Sequence, residues 1–283
     1  MTAAVGLASA SVTDGARVTN RDATFQRWQT LLTNRTKRNR AGELLVQGVR
    51  PITLAVEHGW VVRELLHDGR ARRSAWAEGL LGTVDARRVQ VAPELLAELG
   101  GKDEPPELLA VVALPPDDLG RLGPTGVPLV TVFDRPSSPG NLGTLLRSVD
   151  AFGGTGLVVT GHAADPYDPQ AVRASTGSVF TVPVVRVASH REVLDWADAS
   201  TPRPLVVGTD EGAALDVREV DLSGPVLVVV GNETTGLSAG WREACDVVVS
   251  VPMAGSASSL NAATAGSLVL YEAMRARSGG IGP

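Results

Sequence analysis

The chain has one cysteine, Cys245, in 283 residues. A disulfide framework is excluded, and so is a metal site built on cysteine. Four histidines, His58, His67, His162 and His190, are scattered without ligand spacing, so no metal is expected. No apolar run approaches the ~18 residues that a membrane span needs. The longest, such as PVLVVVG at 225–231, have the length of a strand. The opening MTAAVGLASA has no basic flank, so a secretory signal is not expected and a cytoplasmic location is. Nucleotide signatures are missing too. GNETTG at 231–236 lacks the first glycine pair of a dinucleotide fingerprint, and GGTGLVVTG at 153–161 has its glycines before the strand rather than after it. No glycine-rich loop ends in Gly-Lys-Ser/Thr, which argues against a P-loop. There are no internal repeats.

What is present is a chain that can bury a real core, 43% hydrophobic and 20% charged, and long enough for two domains. Net charge is −5, but it is unevenly spread. Between Arg17 and Arg50 stand eight basic residues and two acidic ones, and the densest part is NRTKRNR at 34–40. Arg35, Lys37, Arg38 and Arg40 are thus candidates for holding nucleic-acid phosphates, with a merely solvated arm as the alternative.

Strand-length apolar runs alternate with amphipathic helical patterns along the chain, which predicts α/β architecture with a mostly parallel sheet covered on both faces. Residues 1–30 read as an N-terminal extension, partly disordered, although Phe25, Trp28, Leu31 and Leu32 have helical spacing. A small α/β domain is expected over 31–115. The Pro- and Gly-dense stretch at 116–128 reads as a linker, and a second domain fills 129–283. In that domain helices are expected over 168–180 and 259–277.

Ligands of open parallel sheets bind outside the carboxyl ends of the strands. Three such ends are unusual: GTD at 208–210, GNETTGL at 231–237, and VPMAGSASSLN at 251–261. Glycines there allow a ligand close to the backbone, and Ser258, Ser259 and Asn261 can cap a helix or bind a ligand. A fourth stretch, SSPGNLGTLLRSVDAF at 137–152, carries one guanidinium, Arg147, among the small residues Thr144, Ser148 and Ala151. Asn141 stands at the entrance of that helix, where it can cap it.

Taken in order, PGNLGTLLRSVDAFG, LVVVGNETTGLS and VPMAGSASSLNAATAGSLVLYE resemble the motifs of the SpoU/TrmH family of RNA 2′-O-ribose methyltransferases, of the SPOUT class. The resemblance covers the second domain. It implies a trefoil-knotted fold, an S-adenosylmethionine site, and a homodimer. NRTKRNRAGELLVQGVRPITLAVEHGW resembles the ribosomal-protein-like substrate-binding domain fused to many members. By carry-over, Gly231, Val251 and Leu260 contact the cofactor, with Thr209 and Met253 as further contacts. Arg147 activates or orients the ribose hydroxyl, Glu233 positions its neighbours or RNA, and Ser259 and Asn261 shape the catalytic loop. The implied substrate is a uridine of 23S rRNA, with resistance to a ribosome-targeting antibiotic as the implied role. Methylation of tRNA or another rRNA site, and non-catalytic RNA binding on the same scaffold, stay open.

Overall fold

A computed structural model describes residues 15–123 and 127–278; the expected disorder of the first residues and the middle of the expected linker lie outside them. The chain divides into two units, up to Leu114 and from Pro115 onward.

The first unit contains β1 (Ala16–Val18), α1 (Ala23–Thr33), α2 (Arg35–Ala41), β2 (Glu43–Gln47), α3 (Val49–Glu57), β3 (Val62–His67), α4 (Ala75–Thr83), β4 (Arg87–Val91), α5 (Pro93–Gly100) and β5 (Leu109–Ala113). Its sheet runs β1-β4-β3-β5-β2, with β5 antiparallel to both neighbours and the remaining pairs parallel. Residues 16–33 are integral to this unit rather than an extension of it. The Asp22 carboxylate caps α1 by accepting from the amides of Thr24 and Phe25. Phe25, Trp28 and Leu31 then pack into the core with Leu66, Leu96 and Val111. The Trp28 indole donates to the buried Glu64 carboxylate at 2.7 Å, and Arg27 and Arg87 neutralise that carboxylate. Burying three large apolar side chains outweighs the loose composition of the preceding residues.

The second unit contains β6 (Leu129–Asp134), α6 (Pro139–Ala151), β7 (Gly156–Thr160), α7 (Pro169–Ala174), β8 (Val184–Val187), α8 (His190–Ala199), β9 (Leu205–Thr209), β10 (Leu215–Asp216), β11 (Val226–Val230), α9 (Ala239–Ala244), β12 (Val247–Ser250) and α10 (Ala262–Arg277). All seven strands are parallel, in the order β10-β12-β9-β11-β6-β7-β8. The central strands β6, β7 and β11 are buried along their whole length, as their unbroken valine-rich runs require.

Two expected boundaries shift. Residues 117–122 are not a loose linker: Leu122 is buried in this unit, Arg121 donates to the Val184 carbonyl, and Asp117 pairs with Arg186 at 2.8 Å. The helix expected over 168–180 stops at Ala174, because Thr176 and Gly177 turn into the left-handed region (φ 52° and 102°) before a short 3-10 turn at Ser178–Phe180. The terminal helix begins at Ala262, capped by Asn261, which accepts from the amides of Ala263 and Thr264.

After β12, beyond β9, the chain returns to place α10 against β11 and α6. Gly266 permits that approach. A Cβ there would lie 2.8 Å from both Leu145 and Val230 side chains. Arg277 fixes the far end by donating to the carbonyls of Val127, Pro128, Leu222 and Gly224. Gly143 serves the other flank of α6, where a Cβ would meet the Ala171 carbonyl of α7 at 2.3 Å.

Candidate active site

A cleft of about 320 Å³ opens at the carboxyl ends of β9, β11 and β12. Its apolar wall comes from Val230, Val249, Val251, Leu260 and Ala265. Its polar rim comes from Thr209, Asp210, Glu211, Glu233, Thr234, Thr235 and Arg242. All five expected cofactor contacts, Thr209, Gly231, Val251, Met253 and Leu260, line it, as does Ser259.

The loop after β11 is folded tightly. Asn232 and Gly236 exchange two backbone hydrogen bonds of 3.0 Å, and the Asn232 side chain accepts from the amides of Thr234 and Thr235. Gly236 takes φ 64°, which a glycine adopts without strain. Gly231 must be glycine for a different reason: a Cβ would lie 2.4 Å from the Gly236 carbonyl carbon and 2.5 Å from the Leu237 nitrogen.

That fold aims Glu233 at the start of α6. Its carboxylate accepts from the Ser137 amide and hydroxyl (both 2.9 Å), the Ser138 amide (3.1 Å) and the Asn141 side-chain amide (3.1 Å). Burial works to raise the Glu233 pKa, but these donors outweigh it and hold it below the usual carboxylate value. Asn141 in turn accepts at Oδ1 from the Asn261 amide at 3.0 Å, while the Asn261 carbonyl oxygen caps α10. Glu233, Asn141 and Asn261 therefore form one relay joining three stretches that are distant in sequence. Ser138, not Asn141, caps α6, with Pro139 at its first turn.

Arg147 does not line the cleft. It lies two turns into α6, about 9 Å along the axis from Asn141, exposed and without a hydrogen bond or ion pair to any described residue. Beside it, Ser148 bonds Ser267 of α10 at 2.6 Å, and Phe152 stacks edge-on against Tyr271.

Of the four basic candidates in the first unit, Arg35, Lys37 and Arg40 are exposed on α2. Arg38 is not available to a phosphate: it is 1% exposed and donates to the Leu31 carbonyl at 2.6 Å, closing the end of α1. The solvated-arm alternative fails for that residue because the helical turn points it inward. The structure also brings out GRARR at 69–73, which the charge count overlooked. Arg70 is tied to Asp68 and the Pro105 carbonyl, whereas Arg72 is exposed.

Asp134 and Arg135 were equally unforeseen. Buried Asp134 accepts from Ser238, Thr160 and Arg135, and Arg135, at φ 51°, reaches the Gly236 carbonyl while its own carbonyl accepts from Asn232. They lock the β11 loop to the end of β6. Only the acidic residue at the end of an apolar strand hinted at this. Cys245 packs against Gly208, and burial pushes its thiol up to about 12, which suits a packing residue rather than a nucleophile. Among the described residues no His, Cys, Asp or Glu group of three could hold a metal, and no helix is long and apolar enough to cross a membrane.

Residues 128–271 match the model of the SpoU rRNA Methylase family, and residues 22–110 match the SpoU L30e-like domain. The chain is 57% identical over 268 residues to a 23S rRNA (uridine(2479)-2′-O)-methyltransferase of Streptomyces viridochromogenes, covering 93% of each. Its fold superposes on the SpoU methyltransferase AviRb from Streptomyces viridochromogenes, solved in complex with AdoMet, with a TM-score of 0.86 at 56% identity, over 92% of this chain and 100% of that one. It also superposes on an AdoMet-bound rRNA methyltransferase from Sinorhizobium meliloti, with a TM-score of 0.82 at 27% identity, over 92% and 97%.

Proposed function

The chain belongs to the SpoU rRNA methylase family, and from that premise we propose that it methylates the ribose 2′-hydroxyl of a uridine in 23S rRNA with S-adenosylmethionine as donor. The observation that carries the reading is the Glu233–Asn141–Asn261 relay, which closes the helix bearing Arg147 onto the rim of the cleft.

The cleft fits such a cofactor. Its volume is in the range of small-molecule sites, its aliphatic wall suits an adenine ring, and its carboxylates suit a cation. Gly231, Val251 and Leu260 would hold the cofactor, with Thr209 and Met253 at the edges. Bound there, the cofactor supplies a methyl group activated by a sulfonium. The chain's own residues must then orient the hydroxyl and lower the cost of charge on its oxygen. Arg147 suits this task. Its guanidinium offers a planar fork of donors, so it serves by binding the adjoining phosphate and stabilising the developing alkoxide. Glu233 acts through Asn141 by fixing the turn that starts α6, and Ser259 and Asn261 hold the loop between cleft and helix.

Exposed Leu268 and Tyr271 on α10, next to unpaired Arg147 on α6, favour a homodimer formed through this face. Arg35, Lys37 and Arg40, together with exposed Arg72, would hold rRNA phosphates. A cytoplasmic location follows from an rRNA substrate. Resistance to a ribosome-targeting antibiotic rests on the sequence resemblance alone, and drug susceptibility of cells with and without the protein tests it. Mapping 2′-O-methyl stops on 23S rRNA incubated with protein and cofactor tests the activity. A modified uridine is expected; methylation of tRNA alone would redirect the reading.

A further inference from the structure

The cleft has an unbalanced set of charges. Asp210, Glu211 and Glu233 line it, against one cation among the described lining residues, Arg242. Asp210 and Arg242 neutralise one another through a 2.6 Å pair, and the Gly212 amide fixes the other Asp210 oxygen. Glu233 keeps its negative charge while spending its hydrogen-bonding capacity on Ser137, Ser138 and Asn141. Glu211 is exposed at the rim with no hydrogen bond or ion pair to any described residue. The net balance is two negative charges beside a wall of aliphatic side chains.

Methyl transfer changes the charge of whatever fills such a cleft. The donor carries a sulfonium cation in addition to its amino-acid zwitterion. The product of transfer has lost that positive charge, because the electron pair of the broken S–CH3 bond returns to sulfur. Shape barely changes, so hydrophobic contact alone cannot tell the two apart. A fixed negative charge can.

Resting on the methyltransferase reading above, we propose that Glu211, added to the charge of Glu233, makes this cleft select the sulfonium cofactor over its spent thioether form and so favours replacement of S-adenosylhomocysteine by S-adenosylmethionine. Glu211 is then a specificity residue, not a catalytic one. Arg242 sets the upper limit of this selectivity by cancelling Asp210. One unit charge acting over several ångströms near a surface is worth about three- to tenfold in the ratio of the two affinities at low salt. The effect shrinks as ionic strength rises, since the rim is open to solvent.

Titration calorimetry of the full-length protein tests this with three ligands: S-adenosylmethionine, S-adenosylhomocysteine, and the analogue in which an amine-bearing carbon replaces the sulfonium. The wild-type protein should bind both cations more tightly than the thioether, and salt should compress that preference. Glu211→Gln should narrow the ratio by roughly three- to tenfold through weaker cation binding, with thioether affinity unchanged. Arg242→Gln frees the Asp210 charge and should widen the ratio. The opposite signs matter, because a merely damaged cleft would weaken all three ligands together. A ratio unmoved by Glu211→Gln, or parallel losses for all ligands in either variant, overturns the proposal. Absence of heat with every ligand for the wild-type protein would remove the methyltransferase reading itself, and this inference with it.

Discussion

Replacing Glu233 exposes how much of the site depends on one carboxylate. In the native loop its two oxygens accept four hydrogen bonds, two from backbone amides, one from a hydroxyl and one from Asn141. Glu233→Ala leaves all four donors to water. Hydrogen bonds to a charged acceptor are worth about 1.5–3 kcal/mol each when buried. This carboxylate is only half-buried, so the combined loss of order in the 137–141 turn should be about 2–3 kcal/mol. If the turn must be set for Arg147 to reach the ribose, turnover falls about 30- to 150-fold. Glu233→Gln is milder. Its oxygen can keep Ser138 and Asn141 while its NH2 faces Ser137, whose hydroxyl can accept but whose amide cannot. One orphaned amide should cost about 1–2 kcal/mol, or about tenfold in turnover. Single-turnover transfer of a labelled methyl group, with cofactor affinity measured separately, checks the order wild type, Gln, Ala. The pH dependence has a definite sign. The folded Glu233 pKa is depressed, so its contribution is present above the unfolded carboxylate value and is lost as pH falls through the folded one. Acid should therefore loosen the wild-type turn below about pH 4, and Glu233→Gln should lack that component. Wild-type turnover in the alanine variant would refute the reasoning, because then neither the relay nor the turn is needed.

Four further outcomes are expected. Arg147→Ala should lower turnover by roughly two to three orders of magnitude with cofactor affinity intact; near-full activity in Arg147→Lys would show that a point charge suffices without the planar fork. Gly231→Val should abolish cofactor binding by calorimetry, since its Cβ collides with backbone rather than with a movable side chain. Neutralising Arg35, Lys37 and Arg40 together should reduce the salt slope of RNA binding by roughly 0.7–0.9 per lost phosphate contact, while Arg38→Ala should instead lower the thermal stability of the first unit; equal salt-slope effects for Arg38 would contradict its burial. Tyr271→Asp should convert a dimer to a monomer in light scattering at micromolar concentration, and a wild-type monomer would remove the dimer reading.

The alternation of strand and helix was legible because the buried strands are nearly pure valine and leucine runs, and period decides fold class. The glycine-framed loops after β11 and β12 stood out for the same local reason, and so did Arg147, a lone guanidinium among small residues. Local pattern could not show Arg38 turning inward, since its burial comes from α1 packing over α2. Nor could it show Asp117 and Arg121 strapped to Arg186 and Val184, because those contacts span more than sixty residues. The docking of α1 into the first core, the break after Ala174, and the locking pair Asp134 and Arg135 were likewise settled by partners far along the chain. The clearest case is Asn141. Its sequence position suggested a helix cap, which is a local role. The fold gives the cap to Ser138 and places Asn141 between Glu233 and Asn261, 92 and 120 residues away. A hydrogen bond across that separation is written in no short stretch of sequence. It exists because α10 returns across the sheet and Gly266 lets it lie close enough to α6 for the two asparagines to meet.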